Sequence, residues 1–183
     1  MKKAFFYRLM SIMLVAVAAS SDIFSQGITN KLSPDQPAYV ENNSAPAGKV
    51  NTIEKSALPV NEINVRAVRD FSKEFKNVTD IQWFKANDGF VAYCKLGSTK
   101  IKVFYDQHGN YKCTVRNYGE TELPKEVRHL VKSSYYDFDI FYVTEISSAF
   151  EKAYIIKLEG KSSWNDVKVM NNEIISVSEY TKG

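Results

Sequence analysis

The strongest constraint on the fold is an order of short segments that occurs twice between residues 63 and 183. Each time, one amphipathic segment with apolar residues at helical spacing is followed by four short runs rich in β-branched and aromatic residues. The first helix is predicted over 63–76, and the second opens at Leu123-Pro124, where a proline at the first turn costs no hydrogen bond. The predicted strands are 79–84, 90–96, 100–106 and 110–117 in the first half and 139–147, 151–158, 163–170 and 173–180 in the second.

The connections between the predicted strands are short and contain Gly, Asn or Asp, which is typical of hairpins in an antiparallel meander. Each half, 63–119 and 120–183, has about 60 residues and one helix to cover four strands, so neither is large enough for a stable core of its own. We therefore predict one α+β domain over 63–183. It is a tandem repeat of one helix plus a four-stranded antiparallel meander, with both helices packed on one face of the sheet.

The N-terminus has the pattern of a secretory signal peptide. Lys2, Lys3 and Arg8 precede an apolar run over 9–19, which is about half the length needed to span a bilayer. We predict that residues 1–25 are a cleaved signal, which places the mature protein in the periplasm or outside the cell. Because both cysteines lie far from this segment, no thiol is available there for a lipid, and no membrane anchor is expected.

Residues 26–62 contain four of the five prolines and have no apolar periodicity, so they are predicted to be a disordered leader or linker. Removal of residues 1–25 takes away three basic residues and one acidic residue, and lowers the formal net charge from +3 to +1. A charge this small argues against a nucleic-acid partner or an anionic membrane surface.

The segment 68–116, followed by Leu-Pro-Lys-Glu-Val at 123–127, carries a set of residues that resembles a known family. The shared features are a helix ending in Phe75, the entry Val78…Ile81-x-Trp83, Ala92-Tyr93, Tyr105-Asp106-x-x-Gly109 and Leu123-Pro124. They resemble the bacterial PepSY-like domains described as similar to beta-lactamase-inhibitory protein, here called BLIP-like. The resemblance implies a secreted or periplasmic α+β domain of tandem helix-plus-four-strand repeats. It is not extended to inhibition of a beta-lactamase, because none of these motifs is a chemical signature.

The sequence offers no constellation of catalytic or metal-binding residues. There is no Gly-x-Ser-x-Gly, phosphate-binding glycine loop or His-Glu-x-x-His, and the two histidines are assigned to a turn (His108) and an exposed helix side (His129). We therefore predict no enzyme activity, no cofactor and no metal. Cys94 and Cys113 should be two buried thiols without a disulfide, because an intervening strand separates their Cα atoms by about 10 Å, beyond the roughly 7 Å limit.

A candidate interaction surface follows from strand alternation. The residues expected to face the helices are Ala92, Cys94, Leu96, Ile101, Val103, Tyr105, Tyr111, Cys113 and Val115. The opposite face of the first half then carries Tyr93, Lys95, Lys102, Phe104, Lys112 and Arg116. Trp164 of the second half completes this set of predicted partner-binding residues. Aromatic and cationic side chains are common anchors of interfaces, although ordinary amphipathic strands also carry lysines on a solvated face.

Two functions stay open at this point. The first is a non-enzymatic module that binds an unknown protein or peptide through this open aromatic and basic sheet face, in an oligomeric state that the sequence leaves open. The alternative is a small-ligand-binding or envelope-stress accessory protein with a pocket between the two repeats. The shape of the sheet distinguishes them, because a broad face rich in exposed aromatics favours a protein partner and a closed apolar pocket favours a ligand.

Overall fold

The computed structural model describes residues 56–182 of the 183-residue chain. Within them the helices are α1, Val65–Glu74, and α2, Lys125–Ser134, and short 3₁₀ helices lie at Val60–Glu62 and Glu120–Glu122. The strands are β1 Thr79–Ala86, β2 Gly89–Leu96, β3 Thr99–Asp106, β4 Tyr111–Tyr118, β5 Asp139–Ser148, β6 Lys152–Glu159, β7 Ser163–Met170 and β8 Glu173–Thr181. Helix α1 precedes β1, and α2 lies between β4 and β5.

The eight strands form one sheet in the order in which they occur in the chain, and every neighbouring pair is antiparallel. Tight turns make this order possible. In the last hairpin, for example, Asn171 and Asn172 have φ values of 54° and 62°, as the two central residues of a type I′ turn require. The predicted α+β class and the antiparallel sheet are confirmed.

Each helix buries one stripe of side chains against the sheet, and α1 also has a side-chain cap at its N-terminus. The side-chain oxygen of Asn64 accepts a hydrogen bond from the backbone N–H of Arg66 at 3.0 Å, which caps α1. Phe71 then packs edge-on to Trp83, with ring centroids 5.4 Å apart. In α2, Pro124 occupies the N-cap position and Val131 is the fully buried residue of the inward stripe.

Both helices lie on the same face of the sheet. Helix α1 packs on a core cluster that includes Cys94 and Ile101, and α2 packs on one that includes Tyr154 and Val169. One row of directly opposite residues joins the two clusters, and residues opposite each other in antiparallel strands point to the same side. The row is Cys94, Ile101, Arg116, Glu145, Tyr154 and Val169, and we call this side the helix face.

The other side of the sheet, the back face, is defined by the row Tyr93, Lys102, Val115, Ile146, Ala153 and Met170. Both described helices are on the opposite side. The centre of the back face is nevertheless buried: Val115 and Ala153 have no exposed surface, and Tyr93 keeps 6%. Exposed side chains of this face are therefore found away from its centre.

A β-bulge in β4 reverses part of the predicted alternation. Phe104 pairs with Cys113, whereas the next residue of β3, Tyr105, pairs with Tyr111. Lys112 is therefore the extra residue of a bulge, and the residues that follow it change sides.

Three face predictions were wrong because of this bulge. Cys113 and Val115, expected to face the helices, lie on the back face, where Val115 is directly opposite Lys102. Arg116, expected on the opposite side from the helices, is directly opposite Ile101 and so lies on the helix face.

The folded part begins before residue 63, where the predicted leader was expected to end. The backbone N–H of Leu58 donates a hydrogen bond of 2.7 Å to the carbonyl oxygen of Trp83, as an isolated antiparallel bridge beside β1. Leu58 is apolar and packs against the α1 cluster, which offsets the cost of ordering this end of the proline-rich segment. The predicted signal peptide and the leader up to residue 55 lie outside the described residues. No helix of residues 56–182 has the length and hydropathy needed to cross a membrane.

Candidate functional site on the back face of the sheet

The back face carries five of the seven residues predicted to contact a partner. Tyr93 and Lys102 lie directly opposite each other in its central row. Lys95 and Phe104 share their side by alternation along β2 and β3. Trp164 shares the side of Met170 on β7, but β7 is five strands away from β2, so Trp164 and Tyr93 are not neighbours.

The other two predicted residues do not belong to this surface in the same way. Lys112 is the exposed extra residue of the β4 bulge, and Arg116 lies on the helix face. The predicted set is therefore divided between the two faces, and the site has to be defined again from the residues that the back face brings together.

Near the centre of the back face, Lys102 lies half-buried between Tyr93 and Val115. Burial lowers the pKa of the Lys102 ammonium group, and the nearby positive charge of Lys100 lowers it further. A negative group placed beside Lys102 would favour its charged form.

A row of the back face next to the central one carries three lysines. It is formed by Lys95, Lys100, Asn117, Thr144, Ile155, Lys168 and Ile175. The ammonium nitrogen of Lys95 lies 2.8 Å from a carboxylate oxygen of Asp80, and this hydrogen bond raises the pKa of Lys95. We call Lys95, Lys100 and Lys168 the lysine row.

Aromatic side chains gather on the back face at the β5–β8 side of the sheet. Trp164 packs edge-on to Phe141 with ring centroids 5.1 Å apart, and it lies directly opposite Tyr180 of β8. Phe141 and Tyr180 are exposed, whereas Trp164 is half-buried between them. We call Phe141, Trp164 and Tyr180 the aromatic corner.

Two ammonium groups hold the aromatic corner in place. The Lys157 nitrogen lies 5.3 Å from the ring centroids of both Trp164 and Tyr180, and the Lys182 nitrogen lies 4.9 Å from that of Trp164. These are distances at which a cation is attracted to a ring face. A hydrogen bond with the Tyr180 hydroxyl, together with the negative charge of Asp166, raises the pKa of Lys157.

Carboxylates complete the polar contacts around these rings. Asp166 accepts hydrogen bonds from the Ser178 hydroxyl at 3.0 Å and the Tyr180 hydroxyl at 3.2 Å. Glu159 forms an ion pair of 2.6 Å with Lys182. The aromatic corner is thus a preorganised surface of rings and fixed charges, which is suited to recognition by packing and electrostatics.

Sequence reasoning found Trp164 and missed its partners Phe141, Tyr180, Lys157 and Lys182. The Asn171-Asn172 turn was a usable signal, because a two-residue hairpin turn places Trp164 opposite residue 179. A bulge in β8, opposite Asp166 and Val167, shifts this partner by one residue to Tyr180. Phe141 could not be found in this way, because it is itself the extra residue of a bulge in β5.

The two cysteines lie on opposite faces of the sheet with β3 between their strands, and no disulfide joins them. Burial raises the pKa of both Cys94 and Cys113 to about 11. Because the thiolate is the reactive form, neither thiol is activated at neutral pH. Within residues 56–182, no group of three or more His, Cys, Asp or Glu side chains is arranged to hold a metal ion.

Two shallow hollows are lined by helix residues. The larger, of about 690 Å³, is bounded by α2 residues and Asn172, and the smaller, of about 430 Å³, by α1 residues and the segment 109–111. Each of these two hollows belongs to one half of the chain. Neither has the position expected for a ligand pocket between the repeats.

The fold is similar to that of several solved bacterial proteins. A BLIP-like protein from Bacteroides fragilis aligns with a TM-score of 0.52 and 20% identity over 68% of this chain and 87% of that one. A DUF2874 family protein from Bacteroides ovatus aligns with a TM-score of 0.51 and 13% identity over 65% and 87% of the two chains. A candidate periplasmic protein from Bacteroides eggerthii gives 0.51 and 11% over 65% and 88%.

No protein-family model and no curated protein sequence matches the chain. The three solved structures are 11–20% identical to this chain, so the similarity shows a shared fold and nothing about function. The BLIP-like fold expected from the sequence is supported, and the PepSY-like part of the resemblance stays a prediction.

Proposed function

We propose that the protein is a non-enzymatic binding module of the periplasm or the secreted fraction, which contacts a protein or peptide through the aromatic corner and the lysine row. The observation that carries the proposal is the aromatic corner, where Phe141, Trp164 and Tyr180 meet between two ammonium groups. Rings that are already held in position lose little conformational entropy on binding, and such aromatic residues are frequent anchors of interfaces.

The lysine row favours a partner with acidic side chains. Lys95, Lys100 and Lys168 share one row of the back face, and within this row the charge of Lys95 is already offset by its ion pair with Asp80. A partner that places carboxylates along this row and an apolar side chain against the aromatic corner would match both features. Electrostatic matching of this kind mainly increases the association rate and the specificity.

The location is part of the proposal and rests on the signal peptide predicted over 1–25. The shared fold with a candidate periplasmic protein agrees with it. We also interpret residues 63–119 and 120–183 as two copies of one unit, as the PepSY-like resemblance implies. The order of elements, α1 with β1–β4 and then α2 with β5–β8, supports this interpretation.

The proposal is tested by capturing partners from periplasmic extract with the immobilised protein and quantifying them by mass spectrometry. The test variant is Phe141→Ala combined with Trp164→Ala, which removes two rings of the aromatic corner and leaves β8 unchanged. Truncation of interface anchors costs about 2 kcal/mol or more, so a true partner should be recovered at least about tenfold less. Circular dichroism of both proteins checks that the sheet is intact.

Tyr136→Ala is the matched control, because Tyr136 is an exposed aromatic residue outside the strands. Every partner of the back face should be recovered equally by this variant and by the unaltered protein. Equal recovery of all partners by the double variant would exclude the aromatic corner as the binding surface. Recovery of a bound small molecule in native mass spectrometry, without any protein partner, would favour the ligand-binding alternative.

A further inference from the structure

The two edges of the sheet are built differently. On the β1 edge, the backbone N–H of Leu58 donates a hydrogen bond to the carbonyl oxygen of Trp83, so this carbonyl is not available to another strand. A bulge also interrupts β1, and Asp80 within it has a left-handed conformation (φ 54°). Bridges and bulges of this kind are the devices by which proteins keep an edge strand from pairing with another chain.

The β8 edge has a bulge of its own, at Val177, but no bridge of the kind that Leu58 forms is found beside it among residues 56–182. Among the described residues, β8 pairs with β7 alone, and its nine residues, Glu173–Thr181, include neither Pro nor Lys. Ile175 and Val177 are each 54% exposed. Along such a strand, alternate residues direct their N–H and C=O groups away from β7, so that a further strand can be added.

The side chains of β8 are complementary to a second β8 that runs antiparallel to it. The bulge at Val177 places Ile175 and Tyr180 on the same face, because they lie opposite Lys168 and Trp164 respectively. In a two-fold arrangement centred between residues 177 and 178, Ile175 of each copy lies opposite Tyr180 of the other. An aliphatic and an aromatic side chain in directly opposite positions stabilise a strand pair.

The ends of the strand match in the same register. Glu173 lies on the back face opposite Met170, and the ammonium group of Lys182 lies on that face above Trp164. The two-fold arrangement puts Glu173 of one copy opposite Lys182 of the other, twice in each pair, and Lys182 keeps its ion pair with Glu159 of its own copy. A strand without the bulge could not place side chains of the same face opposite each other in this register, since it pairs residues of odd and even number.

We propose that β8 is the interface between two copies of this chain, which join their sheets edge to edge about a two-fold axis. The contact is isologous, so one surface serves both copies and the assembly stops at two. A single strand pair lies at the small end of specific interfaces, so half of the protein should be paired at about 100 µM.

Sedimentation velocity of the full chain at concentrations from about 1 µM to 1 mM measures the fraction of paired protein. The highest concentration is about tenfold above the one at which half of the protein should be paired. Val177→Lys adds a charge in the middle of the edge and should weaken the association at least about tenfold. Ile81→Lys is the matched control, because Ile81 is an apolar residue, 50% exposed, on the opposite edge strand β1. It should leave the association unchanged.

The register is tested by cross-linking the double variant Ile175→Cys, Tyr180→Cys. Directly opposite residues have Cα atoms about 5 Å apart, within the range of a disulfide, whereas residues 175 and 180 of one strand are about 16 Å apart. Mild oxidation should therefore convert most of the double variant to a covalent dimer, and little of either single variant.

Three results would overturn the proposal: a monomer throughout the concentration range, equal weakening by Val177→Lys and Ile81→Lys, or a dimer whose double cysteine variant does not cross-link. The cross-linking experiment uses cysteine variants and not the lysine variants. If Val177→Lys or Ile81→Lys fails to fold, the cross-linking result therefore still decides the proposal. Neither readout involves the partner proteins of the proposed function, so the two proposals can fail separately.

Discussion

Replacement of Tyr118 by Phe tests the role of a buried carboxylate on the helix face. Glu145 is 5% exposed, accepts a hydrogen bond of 2.6 Å from the Tyr118 hydroxyl and lies 3.2 Å from the ammonium nitrogen of Lys152. Burial and this bond to Glu145 raise the pKa of Tyr118, so its hydroxyl stays a donor at neutral pH. The substitution removes the hydroxyl group of Tyr118, so the Glu145 carboxylate loses one of its hydrogen-bond donors.

The expected cost follows from the kind of bond that is lost. A hydrogen bond to a charged, buried acceptor contributes about 1.5–3 kcal/mol, and the Phe ring fills the remaining volume without a cavity. Unfolding entropy is about 2.1 cal/mol/K per residue, so a domain of this size should lose roughly 6–11 °C in Tm. Thermal and urea denaturation followed by circular dichroism measure both quantities.

Tyr154→Phe is the control for this experiment. Tyr154 is buried directly opposite Glu145 on the neighbouring strand, and no hydrogen bond of its hydroxyl is found among the described residues. Its replacement should change the free energy of unfolding by less than about 0.5 kcal/mol. Equal losses for the two variants, or full stability of Tyr118→Phe, would show that the bond to Glu145 does not stabilise the fold as argued.

Two further predictions concern a glycine and the thiols. Gly89→Ala should destabilise the protein by at least about 2 kcal/mol in urea denaturation, because Gly89 has φ 148° and an added Cβ would lie 2.1 Å from the carbonyl oxygen of Tyr105. Gly119→Ala, where nothing lies within 4 Å of the added atom, should be nearly neutral, and a similar loss at both positions would contradict the steric argument. The pKa of Cys94 and Cys113 is about 11 in the folded protein against 9.0 for an ordinary thiol, so stability should fall as the pH rises from 9 to 11, where the unfolded chain loses these protons first. A Cys94→Ala, Cys113→Ala variant with the same pH dependence would rule out this origin.

The strands could be predicted from the sequence because each has a short apolar or alternating pattern bounded by turn residues. The run from Thr99 to Asp106, for example, alternates buried and less buried residues without interruption, and its faces were predicted correctly. The Asn171-Asn172 turn likewise determines where the last hairpin reverses. In these elements the local pattern and the tertiary structure agree.

The faces of β4 could not be predicted, because a bulge has no reliable pattern of its own. Lys112 is an ordinary strand residue in the sequence, yet as the extra residue between Tyr111 and Cys113 it changes the side of everything after it. Such a one-residue shift moved Arg116 out of the predicted site and brought Val115 to the back face.

The aromatic corner is missed for a related reason. Its members come from β5, β7 and β8, and two of these strands contain bulges that alter which residues meet. The contact of Leu58 with Trp83 is missed because a single bridge leaves no periodic pattern in a proline-rich segment. Both features depend on register between separate strands, which local sequence does not encode.

The order of the strands in the sheet has a consequence for how the chain acquires its structure. Because β1 to β8 pair strictly with their neighbours along the chain, the sheet has a low contact order, with α2 and its flanking loops between β4 and β5 as the longest interruption. Each hairpin can close as soon as its two strands are available, and each closed hairpin offers an edge to the next strand. Formation of this sheet can therefore proceed strand after strand from any hairpin, without waiting for contacts between distant parts of the chain.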